Sequence, residues 1–112
     1  GHAKINNLCL MIDKNEYSQM AKLNDACSIN PLYEKFIAFN FNVIELNDGH
    51  DEEKIIYAIQ TSKNSLKPVA IICNTVKGKG ISFMEKKNIW HYRTPTGEDL
   101  QRSLDELNGV IK

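Results

Sequence analysis

An α/β fold is predicted, a parallel sheet flanked by helices, present as a partial domain of about three strands. Three short and nearly continuous apolar runs at 7–12, 42–46 and 69–74 carry the first half of that reading. Runs of this kind are what parallel strands buried on both faces look like. Segments of helical period separate and follow them, giving the strand, helix, strand, helix, strand, helix order of β-α-β units. Three strands are few against a mean of roughly five or six, so at least one sheet edge is expected to be completed elsewhere.

The elements follow in order. Asn7-Leu8-Cys9-Leu10-Met11-Ile12 is the first strand, stopped by Asp13-Lys14-Asn15. Residues 16–30 mix Asn, Asp and Ser without a period and read as an extended loop. Pro31 opens a helix at its first position with Asn30 as cap, because that position needs no N–H donor. Leu32, Phe36 and Phe39 then share one face. Asn42–Leu46 is the second strand, and Asn47-Asp48-Gly49 turns the chain. A helix from about Asp51 places three carboxylates near its positive end and buries Ile55, Ile56 and Ile59. Pro68 precedes the third strand, Val69–Asn74. A loop rich in Gly and Lys runs from Thr75 to about Thr94. The last helix begins near Pro95-Thr96, with Leu100, Leu104, Leu107 and Ile111 on one stripe.

The 112 residues suit one domain, 1–112, at 42% hydrophobic and 25% charged. Fourteen basic and fourteen acidic residues cancel, which argues against nucleic acid as a partner. No apolar run approaches membrane-spanning length, so no membrane partner is expected. The three cysteines form no CxxC and no zinc spacing, consistent with a reducing, cytoplasmic setting. Gly1-His2-Ala3-Lys4, without an initiator Met, reads as a processed chain, an excised domain or a fragment.

In an open parallel sheet, ligands gather beyond the carboxyl ends of the strands. That rule selects Asp13–Tyr17, Asp48–Asp51 and Thr75–Arg93, which hold Asp13, Asn15, His50, Lys77, Lys79, His91 and Arg93. Asp13–Tyr17 offers side-chain and carbonyl oxygens suited to a hard cation, or simply a polar strand end. Asp48-Gly49-His50-Asp51 is either an acid/base or metal cluster or a turn glycine followed by an N-cap. Lys77-Gly78-Lys79-Gly80 is a phosphate-holding loop or a solvated basic one, and it lacks the P-loop spacing. His91, between Trp90 and Tyr92, is a ligand contact or a packed aromatic neighbour.

Taken in order, these segments resemble the thiamin-diphosphate-binding domain of transketolases. Asn7-Leu8 with Asp13-Lys14-Asn15 is similar to the second half of that family's cofactor motif. Pro31–Phe36, Asn42–Glu45, Asp48–Asp51, Lys67-Pro68, Asn74–Glu85, Trp90-His91 and Pro95-Thr96 follow in the family's order, over nearly the whole chain. The likeness is greatest to the N-terminal subunit of split transketolases. It implies that Asn15 and the carbonyl of Tyr17 are Mg²⁺ ligands and cofactor contacts. It implies that His91 faces the diphosphate and substrate and acts in catalysis. It further implies thiamin diphosphate and Mg²⁺ as cofactors, sugar phosphates as substrates and a ketol transfer of the pentose phosphate type.

The family's Gly-Asp-Gly segment, its upstream substrate histidines and its pyrimidine domain lie outside these 112 residues. The resemblance therefore implies two partners, an upstream segment and a pyrimidine-domain subunit, in a homodimer or heterotetramer, with the chain inactive alone. Tyr92 stands where the family usually has Gly. Two alternatives stay open: another thiamin-diphosphate enzyme, of the deoxyxylulose-phosphate synthase or 2-oxoacid dehydrogenase E1 type, and a non-catalytic interaction module that keeps the fold.

Overall fold

The computed structural model describes residues 2–3, 5–19 and 21–110. Two compact units are distinguishable, one of 1–15 and 28–75, the other of 16–27 and 76–112.

The first unit holds β1 (Cys9–Lys14), β2 (Asn42–Leu46) and β3 (Val69–Asn74), all parallel, in the order β1-β3-β2. β3 pairs in register with Cys9–Lys14 on one side and Asn42–Leu46 on the other. A central parallel strand has no solvent face, and Val69, Ala70, Ile71, Ile72 and Cys73 are all buried. Burying Val69, Ile71 and Ile72 contributes roughly 1.5–3 kcal/mol each. Leu46 and Ala58 complete the core cluster, with Ile44, Ile55 and Ile59 packed against it.

β2 and β3 lie where the sequence puts them. The first strand is displaced: it runs Cys9–Lys14 instead of 7–12, so Asp13 and Lys14 join the ladder. It is also not buried on both faces. Leu8, Leu10 and Met11 are exposed, since β1 has only β3 beside it among the described residues. Cys9 and Cys27 are exposed, Cys73 is buried, and all three are free thiols.

Helix α2 (Leu32–Ala38) packs on β2. Pro31, not Asn30, is its cap, and no side-chain capping bond forms there. The helix ends in a Schellman motif: Asn40 takes φ 64°, its N–H reaches the Ile37 carbonyl, and the Phe41 N–H reaches Phe36. The accompanying apolar contact is Phe36 against Phe41, edge-on at 5.3 Å. That closure leaves Phe39 on the outside, 70% exposed, instead of on the buried face. Helix α3 (Glu52–Ser62) packs on β2 and buries Ala58 and Ser62 with Ile55 and Ile59 half-covered. Ile56, expected inside, is half-exposed because positions 55, 58, 59 and 62 already fill the inward face.

The second unit contains a short helix α1 (Leu23–Ala26), inside the stretch expected to be loop throughout. A 3₁₀ turn (Asn88–His91) and helix α4 (Gly97–Leu107) follow. Thr96 precedes α4, and Gly109 at φ 71° closes it with a second Schellman motif. Ser103 is its buried residue, its hydroxyl donating to the Asp99 carbonyl. Leu100, Leu104 and Leu107 are exposed, and Ile111 lies outside the described residues. No described helix is long and apolar enough to cross a membrane.

Candidate functional site

In the first unit the carboxyl ends of all three strands are tied together. The Thr75 hydroxyl donates to the Asp13 carboxylate, and the Thr75 N–H reaches the Lys14 carbonyl at 3.2 Å. The Asn74 amide donates to Glu45 Oε1 at 3.1 Å and to the Leu46 carbonyl at 3.0 Å. Lys14 Nζ lies 3.5 Å from the same Glu45 oxygen. Parallel register makes this possible, since Asp13 and Leu46 both stand opposite Cys73. Burial pushes the Cys73 thiol pKa up, and the Asp13 carboxylate adds to it. Asn15 follows directly on this anchored strand end and is half-buried.

Gly49 lies against the same strand end. Its N–H donates to the Asn74 carbonyl at 2.7 Å. A Cβ there would meet Thr75 Cγ2 at 2.7 Å and Cys73 Cβ at 2.8 Å. Space, not backbone conformation, demands the glycine. The rest of Asp48–Asp51 takes the turn-and-cap reading: Asp48 accepts from the His50 N–H at 2.9 Å, and Asp51 from the Lys54 N–H at 3.1 Å. Lys54 Nζ also pairs with Asp51 at 2.6 Å. Those bonds hold the Asp51 carboxyl below its ordinary range and the Lys54 ammonium above its own. A concavity of about 480 Å³ opens beside β2 and α3, lined by Ile44, Leu46, Tyr57 and Ala58 among others. None of Asn15, Tyr17 or His91 lines it.

In the second unit Glu16 takes φ 66°, a region L side chains seldom adopt. Such strain persists only where the surroundings impose it, and it collects at ligand-binding segments. The Glu16 carbonyl accepts from Leu23 N–H at 2.9 Å, and Tyr17, half-buried, bridges to Lys22.

The Lys77–Gly80 loop folds on itself. Gly78 at φ 74° approaches the Met84 carbonyl so closely that a Cβ would lie 2.7 Å from it. The N–H groups of Lys79, Gly80 and Ile81 reach Val76, the Glu85 carboxylate and Gly78 respectively. Three successive donors are thus engaged inside the loop, unlike the open amides of a phosphate cradle. Lys79 is exposed and Lys77 half-buried. His91 is exposed at the last position of the 3₁₀ turn, and Arg93 is exposed beyond it, its N–H on the Ile89 carbonyl.

Tyr17 and His91 therefore belong to one unit and Asn15 to the other. Among the described residues no three His, Cys, Asp or Glu side chains gather as a metal-binding group. Sequence reasoning quoted Thr75, Glu45, Asn74 and Ser82 only as members of longer motifs, without a role of their own, and did not single out Glu106. A polar side chain closing an apolar strand was the available signal for Asn74 and Thr75.

The thiamine diphosphate binding domain of transketolase matches as a family across residues 1–109. An apulose-4-phosphate transketolase subunit from Actinobacillus succinogenes is 34% identical over 93% of this chain. A transketolase from Staphylococcus aureus is 34% identical over 98% of it. The chain spans 37% of the former and 16% of the latter. The crystal structure of a Campylobacter jejuni transketolase superimposes with a TM-score of 0.84 at 29% identity, over 96% of this chain and 17% of that one. The chain belongs to the transketolase family, within its thiamin-diphosphate-binding domain.

Proposed function

We propose that the chain is the diphosphate-anchoring part of a cytoplasmic transketolase that moves a two-carbon ketol unit between sugar phosphates. The observation that carries the reading is the seating of Asn15. It follows a strand end anchored by Thr75 to Asp13 and Lys14, and it precedes a backbone held left-handed at Glu16. The Asn15 amide oxygen and the Tyr17 carbonyl are hard, uncharged oxygen donors. Mg²⁺ takes a few such protein oxygens and fills its octahedron with phosphate and water, so this donor set fits a Mg²⁺–diphosphate group.

When bound, thiamin diphosphate supplies the carbanion-stabilising chemistry of the transfer. The chain's own residues anchor and move protons. Asn15 and Tyr17 would hold the metal. His91, exposed at the end of its turn, would donate to a diphosphate oxygen and exchange a proton with the sugar hydroxyl. Three free thiols in the described structure agree with a reducing compartment. The remainder of the enzyme, an upstream segment and a pyrimidine-domain subunit, completes the site in a homodimer or heterotetramer.

The test is ketol transfer from a ketose phosphate to an aldose phosphate by the complete enzyme. Transfer should require both Mg²⁺ and thiamin diphosphate, and the 112-residue chain alone should show none. Decarboxylation of a 2-oxoacid instead would move the chain to another thiamin-diphosphate activity. Absence of thiamin diphosphate binding by calorimetry would defeat the proposal.

A further inference from the structure

We propose that Glu106 is a positioning residue for His91, acting through Ser82, Phe83 and Trp90 within the second unit. The proposal rests on the reading of His91 given above. Glu106 lies on α4, and its side chain is only 7% exposed. An Arg–Glu pair one helical turn apart is ordinary on a helix surface. This carboxylate also reaches off the helix, accepting from the Ser82 backbone N–H and from the Ser82 hydroxyl at 2.8 Å. Arg102 Nε donates to it at 3.0 Å. A charged acceptor on a backbone N–H fixes the course of the chain, and such bonds are stronger than neutral ones. These donors hold the Glu106 carboxyl below its ordinary range, so it is ionised when it clamps.

The clamp continues toward His91 through aromatic contacts. The Arg102 guanidinium also donates to the Ser82 hydroxyl at 3.0 Å and sits 5.0 Å from the centre of the Phe83 ring. Phe83 meets Trp90 edge-on, with ring centres 5.3 Å apart at 68°. The Trp90 indole N–H returns to the Phe83 carbonyl at 3.3 Å. Trp90 and His91 are consecutive in the 3₁₀ turn, so whatever orients the indole orients the backbone that presents the imidazole. Phe83 thus contacts both Arg102 and Trp90.

Trp90 is the sole tryptophan of the sequence, so its fluorescence reads the turn directly. Glu106→Ala should red-shift Trp90 emission and raise its quenching by acrylamide. In the complete enzyme it should lower kcat roughly tenfold, short of the larger loss from removing a general acid–base group, with KM for the donor sugar unchanged. Glu106→Gln keeps an acceptor oxygen without the charge and should fall between. Ser82→Ala keeps the backbone donor but deletes the hydroxyl bonds to Glu106 and Arg102, and should fall between the parent and Glu106→Ala. If Glu106→Ala does not fold, Glu106→Gln and Arg102→Ala carry the same comparison. Unmoved Trp90 emission overturns the proposal. So does a moved emission with undiminished turnover when His91→Ala is impaired. The reading of His91 itself is judged separately, by turnover of His91→Ala measured alongside.

Discussion

The Thr75 hydroxyl donates to the Asp13 carboxylate, joining the ends of two neighbouring parallel strands directly before Asn15. The bond crosses 62 positions of sequence. It turns a polar strand end into an anchor for the segment that follows.

Thr75→Val keeps the shape and deletes the donor. A hydrogen bond to a charged group contributes about 1.5–3 kcal/mol, less where water can replace it, so a loss of about 1 kcal/mol is expected. The midpoint of urea unfolding should fall without a change in slope. An unshifted midpoint would mean that water serves Asp13 equally well.

Gly49→Ala should be costlier than a turn glycine would suggest. Its backbone is not in the left-handed region, yet the new methyl would press on Thr75, Cys73 and the Asn74 carbonyl. Overpacking of this kind costs about 1–3 kcal/mol. A thermal midpoint within a degree of the parent would show that the strand end yields.

The α3 cap predicts an acid dependence. Asp51 is held below its ordinary value of 3.8 by the Lys54 side chain and backbone N–H groups. A lowered carboxyl pKa contributes stability that is present above the unfolded value and lost as pH falls through the folded one. The difference in stability between the parent and Asp51→Asn, which still caps, should therefore shrink below about pH 4. Parallel stability–pH curves would remove the ionised cap from the account.

Asn15→Ala in the complete enzyme should raise the Mg²⁺ and thiamin diphosphate concentrations needed for half-saturation, with the circular dichroism spectrum unchanged. Mg²⁺ holds near-octahedral geometry, so a lost oriented oxygen is poorly replaced. An unaltered cofactor titration takes Asn15 out of the site.

For His91→Ala a turnover loss of about 10²–10⁴-fold is expected, the usual contribution of a general acid–base group. His91→Asn should lose less if donation to the diphosphate dominates, since an amide N–H still donates. Turnover near the parent's in both variants would make His91 a neighbour of Trp90 and nothing more.

What the sequence determined by itself is what short-range chemistry dictates. β2 and β3 are legible because each is an apolar run closed by turn residues, and Asp51 because capping involves only its next three positions. The ordered motifs, read together, also sufficed for the family and the α/β class. Tertiary structure decided which apolar faces are covered. Ile71 and Leu10 belong to equally apolar runs, but among the described residues β3 lies between two strands and β1 beside one, so the first is buried and the second exposed. Ile56 and Phe39 turn outward because Ala58 and Ser62 fill the inward face of α3 and because Asn40 closes α2. The polar ties from Thr75 to Asp13 and from Glu106 to Ser82 link residues 62 and 24 positions apart. No periodicity encodes such pairs, because hydrogen-bond partners are chosen by distance in the folded chain.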